Sequence, residues 1–223
     1  MERPQTRTTT NLDKSKLRLY LVTDSTNKDE REFLSALEAA IQGGVSFVQI
    51  REKTKTTREY MDLVTKALAI TRKHGVPLIV DDRVDIALAT DADGVHLGQD
   101  DMPVAIARRI LGSGKIIGAT TKTVDQALLA YNEGADYLGV GAIYPTTTKV
   151  KTILTSVETL NDICSAVPIP VNAIGGLNKD NLHVLKGSPI AGICVVSAIM
   201  KADDQRQAAS ELLSTVNNVL DCN

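Results

Sequence analysis

Aromatic side chains are scarce in this sequence, and their scarcity limits what the chain can bind. Only 3% of its 223 residues are aromatic, and there is no Trp. The core must therefore be largely aliphatic, and a platform of rings that stacks the bases of single-stranded nucleic acid is not expected. A formal net charge of −2, without a basic patch, also argues against nucleic acid and anionic membranes as partners.

Long hydrophobic runs and paired cysteines are missing as well. The longest apolar runs have the length of strands, so we expect no segment that spans a bilayer. Residues 1–14 lack the apolar region of a secretory signal. The three cysteines are odd in number and lack the spacing of a metal-binding motif, which is typical of reduced thiols. These absences predict a cytoplasmic protein with no membrane partner.

What the sequence does contain is a regular alternation of short apolar runs and longer amphipathic segments. In the first amphipathic segment, Phe33, Leu37 and Ile41 recur at helical spacing on one face. Eight strand–helix pairs follow one another, and this order implies parallel strands joined by right-handed crossovers. The sequence therefore predicts an α/β protein, a single-domain (β/α)8 TIM barrel in residues 17–223 that follows an N-terminal tail in residues 1–16.

An open doubly wound sheet is the alternative arrangement of alternating strands and helices. It would require a glycine-rich G-x-G-x-x-G turn directly after the first strand. Residues 22–26 read VTDST and contain no glycine, so the barrel is favoured. A helix capped by Asn178 is expected after the seventh strand. The predicted strands are residues 17–23, 46–50, 77–80, 94–97, 115–118, 135–141, 169–174 and 191–196.

Polar residues cluster repeatedly where the predicted strands end. In a β/α barrel these ends share one mouth, where the catalytic groups of such enzymes lie. Along the chain, from strand 2 to strand 8, the polar clusters contain Gln49, Arg51 and Lys53, then Asp81 and Asp82, then Asp100 and Asp101, then Thr120, then Thr146, Thr148 and Lys149, then Gly175 and Gly176, and finally Val196 and Ser197.

The second strand supplies the first candidate binding group. Side chains alternate along a strand, so Gln49 and Arg51 share a face with Phe47. A parallel strand that is buried on both faces should be almost wholly apolar, and these two polar residues break that rule. Because a guanidinium suits phosphate oxygens, we interpret Arg51 as part of an anion-binding fork aimed into the barrel mouth. The alternative is a surface salt bridge at the rim.

Asp82 and Asp101 are the candidate metal ligands. They follow neighbouring strands, so their carboxylates can converge over the barrel. Oxygen ligands without a nearby His or Cys cluster favour a hard cation, and Mg²⁺ commonly takes one or two carboxylates together with water and substrate phosphates. In the alternative interpretation, one or two of the aspartates Asp81, Asp82, Asp100 and Asp101 cap the helices that follow.

Two further positions suit phosphate groups. Lys149 lies in a Thr-rich loop whose hydroxyls, N–H groups and ammonium could cradle a phosphate, although a solvated Lys fits the same sequence. Gly176 and Ser197 end strands 7 and 8, where barrels frequently bind a phosphate; a tight turn is the alternative. His96 lies inside a strand and is interpreted as a core histidine with satisfied hydrogen bonds. Together, the candidate groups predict a transferase that couples a diphosphate donor to a phosphorylated acceptor.

Several motifs also occur in one order along the chain. They are LYLVTD at residues 19–24, QIREK at 49–53, ADGVHLGQDDMP at 92–103, GADYLGVG at 134–141, PTTTK at 145–149, AIGG at 173–176 and VVSAI at 195–199. With these motifs the sequence resembles thiamine-phosphate synthases over nearly its whole length. The resemblance implies an enzyme that joins 4-amino-5-hydroxymethyl-2-methylpyrimidine diphosphate to hydroxyethylthiazole phosphate. Pyrophosphate would leave first, and the thiazole nitrogen would then capture the pyrimidine cation.

The resemblance implies roles for individual residues. Mg²⁺ would be the cofactor, bound by Asp82 and Asp101. Arg51, Thr120 and Lys149 would act in catalysis. The pyrimidine diphosphate would be held by Gln49, Arg51, Lys53 and Lys149, with Thr120 near the pyrimidine, and the thiazole phosphate by Thr146, Thr148, Gly176, Val196 and Ser197.

The sequence departs from the family pattern at three places. The family usually has Asn where this chain has Asp81, and Ser where it has Thr120. An extra carboxylate at position 81, in the substrate-binding region, is expected to tighten metal binding or to weaken diphosphate binding. Residues 150–154 lack the acidic and glycine residues that are common in the family, so the way in which this loop closes is not predicted.

Two other functions compete with the synthase. A related thiazole tautomerase would share the barrel and one phosphate site, but it depends on a His just after strand 5, where this chain has Lys122. A non-catalytic thiamine-phosphate binding protein would not need two metal carboxylates beside a leaving-group site. The sequence neither requires nor excludes a homodimer.

Overall fold

The predicted (β/α)8 barrel is confirmed. The computed structural model describes residues 12–145 and 153–221. Eight parallel strands close into a barrel in chain order, so that the first strand pairs with the eighth. The strands are β1 Leu19–Val22, β2 Phe47–Ile50, β3 Leu78–Asp81, β4 Gly94–Leu97, β5 Ile116–Thr121, β6 Tyr137–Val140, β7 Val171–Ile174 and β8 Gly192–Val195.

The helices alternate with the strands and cover the outside of the barrel. None of those in the described ranges is long and apolar enough to cross a membrane. The boundary between a tail and the barrel at residues 16 and 17 stays a prediction, because residues 1–11 lie outside the described part. The α-helices are α1 Glu30–Gln42, α2 Thr57–Lys73, α3 Val84–Ala89, α4 Val104–Leu111, α5 Val124–Glu133, α6 Val157–Ala166, α7 Ser197–Met200 and α8 Gln205–Leu220.

Local sequence signals fix where the first helices begin. Asp29 accepts a hydrogen bond from the backbone N–H of Glu32, and the Glu32 side chain accepts one from the Asp29 backbone, which forms a capping box before α1. Thr56 and Glu59 form the same box before α2, as their spacing predicts. The first turn of a helix leaves backbone N–H groups without partners, and these bonds satisfy some of them. The two boxes therefore define the residues at which α1 and α2 begin.

Two separate apolar clusters result from strand alternation. Outward side chains such as Val48 and Ile50 belong to a large cluster between the strands and the helices. Inward side chains such as Phe47 belong to a smaller cluster inside the barrel. Since Gln49 lies between Val48 and Ile50, it also points inward, and β2 thus delivers its polar residue to the interior.

The barrel interior contains three aromatic rings, so the prediction of an aliphatic core is incomplete there. Tyr20 packs edge-on against Phe47 and Tyr137, with ring centroids 4.9 Å and 5.9 Å apart, and Phe47 lies 5.7 Å from Tyr137. Such edge-to-face pairs are stabilising beyond the area they bury. Three of the seven aromatic residues therefore lie together beneath the mouth of the barrel.

Two elements differ from the sequence prediction. Strand β5 extends to Thr121, so Thr120 lies within the strand and not after it. No α-helix follows β7; the helix predicted with Asn178 as its cap is wrong, and a 3-10 helix Leu182–Leu185 stands in its place. The Asn178 side chain instead accepts from the backbone N–H of Asp180, which forms a turn and leaves only a short segment before β8.

Gly118 provides a test of this packing. A Cβ at Gly118 would lie 2.2 Å from Cζ of Tyr137 and 2.5 Å from Nδ1 of His96. We expect Gly118→Ala to lower the free energy of unfolding by about 1–3 kcal/mol, because overpacking a tight core forces side chains to move. Urea unfolding would measure the change.

Gly114→Ala is the matched control for this test. A Cβ at Gly114 meets nothing within 4 Å, so its effect should stay within about 0.5 kcal/mol. Equal unfolding midpoints for the two variants would contradict the packing around Tyr137 and His96.

Candidate active site

The carboxyl ends of the strands surround one cavity of about 330 Å³. The cavity brings together candidate residues from most of the barrel, although they are distant in the sequence. Thr146, Thr148 and Lys149 lie outside the described residues. The predicted site residues that line the cavity are Gln49, Arg51, Lys53, Asp81, Asp82, Asp101, Thr120, Gly176, Val196 and Ser197.

Strand β2 directs Gln49 and Arg51 into this cavity. Gln49 is buried; its amide nitrogen donates to Oδ1 of Asp81, and its oxygen accepts from the hydroxyl of Tyr20. Nε of Arg51 lies 3.8 Å from Oδ2 of Asp81. The ion pair of Arg51 is thus made inside the barrel mouth, and the alternative of a surface salt bridge does not describe it.

Lys53 links the two adjacent carboxylates at the end of β3. Its Nζ lies 2.8 Å from Oδ2 of Asp81 and also binds Oδ2 of Asp82. Burial raises the pKa of Asp81 to about 6, with a further increase from the charge of Asp82, while Lys53 and Arg51 act in the opposite direction. Asp82 has a left-handed backbone, with φ of 60°, which is a strained conformation for a residue with a side chain.

Asp82 and Asp101 meet across the cavity, as their places after neighbouring strands predict. Burial raises the pKa of Asp101, and the hydrogen bond with Asp82 and the charge of that residue raise it further. The backbone N–H of Gly98 holds Oδ2 of Asp101 at 2.7 Å. Two carboxylates that repel each other in this way would be stabilised by a shared cation, so the pair fits the oxygen ligands that Mg²⁺ prefers.

The aspartates at the ends of β3 and β4 do not cap the helices that follow. Helix α3 has Arg83 at its N-cap and α4 has Pro103, and neither position makes a side-chain capping bond. The alternative that one or two of the aspartates cap these helices is therefore wrong.

Among the residues that the structure describes, no three His, Cys, Asp or Glu side chains form a metal cluster. A Mg²⁺ ion on Asp82 and Asp101 would thus complete its ligands from water or substrate.

A row of hydrogen bonds runs below the cavity and ends at Thr120. The hydroxyls of Tyr20 and Tyr137 are 2.9 Å apart, and Tyr137 lies 2.8 Å from Nδ1 of His96. Nε2 of His96 lies 2.9 Å from Oγ1 of Thr120. Burial lowers the pKa of His96 to about 4. His96 is the satisfied core histidine that its strand position predicts, but its place beside Thr120 and the cavity was missed by the sequence analysis.

The opposite side of the cavity is formed by the ends of β7 and β8. Gly175 and Gly176 have φ of +104° and +66°, and a Cβ on Gly176 would lie 2.7 Å from the carbonyl oxygen of Pro145. The tight turn considered as an alternative is therefore present, and it also lines the cavity together with Val196 and Ser197. A backbone without side chains at this turn lets a ligand approach closely.

Lys122 is a cavity residue whose structural role was not predicted. Its Nζ donates to the carbonyl oxygens of Gly141, at 2.6 Å, and Ile153, at 2.9 Å. These two residues flank the segment that connects β6 to α6. Lys122 thus ties both ends of this connection to the end of β5, and no sequence motif indicates such contacts between distant residues.

Comparison with known proteins identifies the family. A model of the thiamine monophosphate synthase family matches residues 19–199. Thiamine-phosphate synthase 2 of Streptococcus pneumoniae is 47% identical over 209 residues, which cover 94% of this chain and 100% of that protein. The chain belongs to the thiamine monophosphate synthase family. Thiamine-phosphate synthase of Campylobacter jejuni is likewise 50% identical over 200 residues, which cover 90% of this chain and 94% of that protein.

A solved structure of the same family has the same fold. Thiamine phosphate pyrophosphorylase from Pyrococcus furiosus superposes with a TM-score of 0.84 and 41% identity, covering 93% of this chain and 98% of that one. As a member of the thiamine monophosphate synthase family, the chain is a transferase of thiamine biosynthesis built on a TIM barrel.

The raised pKa of Asp81 predicts an unusual pH dependence of stability. Its folded-state value of about 6 lies above the ordinary 3.8. Its stabilising contribution is therefore complete below about pH 4 and is lost as the pH rises to about 6. Relative to the wild type, Asp81→Asn should gain about 1–3 kcal/mol in free energy of unfolding between pH 4 and pH 7.

Urea unfolding across this pH range, in metal-free buffer, measures the difference. Asp85→Asn is a control of opposite sign, because the hydrogen bond from Arg83 lowers the pKa of Asp85. That variant should lose stability relative to the wild type as the pH rises through the lowered pKa to about 4, and its difference from the wild type should be nearly constant between about pH 4 and pH 7. If the free energies of unfolding of Asp81→Asn and the wild type differ by the same amount at every pH, the raised pKa of Asp81 is contradicted.

Proposed function

We propose that this enzyme condenses 4-amino-5-hydroxymethyl-2-methylpyrimidine diphosphate with hydroxyethylthiazole phosphate, giving thiamine phosphate and pyrophosphate. The observation that carries the proposal is the cavity itself, where Arg51 and Lys53 lie beside the facing carboxylates of Asp82 and Asp101. Cations and paired carboxylates suit a diphosphate that binds with a divalent metal. Membership of the family supports the same reaction.

Arg51 and Lys53 would hold the diphosphate and stabilise its departure. Negative charge accumulates on the leaving oxygen as its bond to the pyrimidine methylene breaks. Fixed cations that face this oxygen in a cavity with little water lower the barrier more than they would in bulk water. Lys149, from the connection after β6, would add a third cation to the leaving group.

Asp82 and Asp101 would hold the cofactor, Mg²⁺. When bound, a divalent cation supplies charge neutralisation to the diphosphate oxygens. Asp82 is also an ion-pair partner of Lys53. The carboxylates therefore have a second effect, since they keep the Lys53 ammonium aimed at the region where the diphosphate would bind.

The remaining residues would bind the two rings and the second phosphate. Gln49 and Thr120 would contact the pyrimidine, and Asp81, adjoining Gln49 and Lys53, would lie near its diphosphate. The thiazole phosphate would occupy the opposite side of the cavity, so that the thiazole nitrogen can capture the pyrimidine cation after pyrophosphate departs. The residues proposed for that phosphate are Thr146, Thr148, Gly176, Val196 and Ser197.

Arg51→Ala tests the diphosphate site. We expect kcat for thiamine phosphate formation to fall by about 10²- to 10³-fold, because one preorganised donor for a developing anion has that effect. The unfolding midpoint should change little, because Arg51 lies beyond the end of β2 and not in either apolar cluster. We expect a similar loss for Lys149→Ala.

Arg58→Ala, which removes an exposed Arg from α2, is the matched control and should retain full turnover. Incubation of the protein with both substrates and Mg²⁺, followed by chromatography of thiamine phosphate, gives the readout. Full turnover in Arg51→Ala would remove that side chain from the mechanism.

Metal removal tests the carboxylate pair. Excess chelator should stop pyrophosphate release, and added Mg²⁺ should restore it. Outer-shell partners alone change metal affinity by about 10- to 100-fold. Replacing a ligand, in Asp82→Asn or Asp101→Asn, should therefore raise the Mg²⁺ concentration for half-maximal rate by at least about tenfold.

Asp100→Asn is the control, since Asp100 lines the same cavity but is not a proposed ligand. Its Mg²⁺ dependence should match that of the wild type. Undiminished pyrophosphate release in excess chelator would rule out the metal, whatever the behaviour of the variants.

A further inference from the structure

Six side chains form one continuous row of hydrogen bonds across the barrel. The row begins at a carboxylate beside the proposed diphosphate site and ends at the Thr120 hydroxyl, in a residue that also lines the cavity. Each member comes from a different strand, in the order β3, β2, β1, β6, β4 and β5. In order, the members are Asp81, Gln49, Tyr20, Tyr137, His96 and Thr120.

The direction of the row is fixed at its first bond. An ionised carboxylate only accepts hydrogen bonds, and Asp81 is paired with the ammonium of Lys53. The amide of Gln49 must therefore turn its nitrogen toward Asp81 and its oxygen toward Tyr20. Because that oxygen can only accept, the single hydroxyl proton of Tyr20 is used in donating to Gln49.

The same count of protons carries the direction to His96. Since the Tyr20 proton is occupied, the Tyr20 oxygen accepts from Tyr137, which uses the only proton of the Tyr137 hydroxyl. The Tyr137 oxygen must then accept from Nδ1–H of His96. Each hydrogen bond thus fixes which group donates and which accepts in the next one.

His96 passes the direction on to Thr120. The ring is buried, and its two nitrogens face neutral hydroxyls and no carboxylate, which favours the neutral imidazole. With its proton on Nδ1, the ring has a bare lone pair on Nε2. Thr120 must donate its hydroxyl proton to that nitrogen, at 2.9 Å. The remaining lone pairs of the Thr120 oxygen are then free to accept.

We infer that Asp81, acting through this row, holds Thr120 as a hydrogen-bond acceptor and so selects a substrate ring that carries an amino group over one that carries a carbonyl group in the same place. Tyr20, Tyr137 and His96 are positioning residues, which act through Thr120. This inference rests on the proposed function, since it takes the aminopyrimidine as the ring that lies at Thr120. A carbonyl there would face an acceptor with an acceptor.

The tautomer of His96 tests the inference without any substrate. The chain contains three His residues, so ¹⁵N-labelled histidine gives a spectrum that His96→Asn can assign. We expect His96 to be the neutral Nδ1–H tautomer in the wild type. In Tyr137→Phe, Nδ1–H loses its acceptor, and the ring should change to the Nε2–H tautomer. In Tyr20→Phe, the Tyr137 hydroxyl loses its acceptor at position 20 and can either donate to Nδ1 of His96 or accept from Nδ1–H, so a mixture of tautomers is expected.

Tyr60→Phe is the matched control for these variants. Tyr60 is also buried, but its hydroxyl faces the backbone carbonyl oxygens of Ile50 and Asp81, at 2.6 Å and 3.3 Å, and bonds to no side chain of the row. Loss of that hydroxyl should leave the tautomer of His96 unchanged. A wild-type His96 that is Nε2–H or doubly protonated would overturn the inference, as would an unchanged tautomer in both Tyr137→Phe and Tyr20→Phe.

Selectivity for the ring provides the functional readout. Sites built to pair with a polar group reject the mismatched analogue by about 10⁴- to 10⁵-fold. We expect the wild type to prefer the aminopyrimidine diphosphate strongly over its oxo analogue in kcat/KM. That ratio should fall at least about tenfold in Tyr137→Phe, and it should not fall in Tyr60→Phe. An equal ratio of kcat/KM values in the wild type, Tyr137→Phe and Tyr60→Phe would overturn the role of the row in selecting the ring.

The two proposals fail separately. If the wild type makes no thiamine phosphate, the proposed function fails while the tautomer measurement stands. If the wild type makes thiamine phosphate but His96 is not the Nδ1–H tautomer, only the directed row fails.

Discussion

The buried carboxylate of Asp81 is the constraint on which the rest of the mouth depends. Only 7% of this residue is exposed, so its charge has to be balanced by partners within the barrel. Lys53 and Arg51 provide positive charge, and Gln49 provides an amide hydrogen bond. One side chain at the end of β3 thereby holds in place three side chains from β2 and the residues directly after it. These are also groups proposed to bind the pyrimidine diphosphate.

The interior packing makes this polar arrangement possible. Gly118 leaves room for the Tyr137 hydroxyl and the His96 ring, and a Cβ on Gly139 would lie 3.3 Å from Cε1 of His96. The rings of Tyr137 and His96 occupy the space that side chains at Gly118 and Gly139 would fill. The barrel can therefore contain the row of hydrogen bonds and remain closely packed. Tyr20 and Tyr137 thus have two functions in this structure, since their rings fill the interior and their hydroxyls connect Gln49 with His96.

Periodicity in the sequence predicts much of the fold, and strand alternation predicts part of the site. Gln49 and Arg51 share a face that must point inward, and Asp82 and Asp101 follow neighbouring strands, so their convergence could be predicted. The contact between Tyr20 and Tyr137 could not, because it joins strands β1 and β6 across the barrel and depends on ring positions after closure. The α-helix expected after β7 is absent, and the prediction was wrong because an Asn that can cap a helix can equally form a turn.

The charge within the mouth of the barrel explains why the diphosphate substrate and the metal are expected to bind together. Among the described residues that line the cavity, three cationic side chains face four carboxylates, a formal excess of one negative charge. A diphosphate alone would enter a region that already repels it, and Asp81, where the family usually has Asn, increases this repulsion. Two further positive charges from a Mg²⁺ ion held by Asp82 and Asp101 would reverse the sign of the region. In this chain, therefore, the extra carboxylate is expected to make the proposed diphosphate binding depend more strongly on the metal than it would with Asn at the same position.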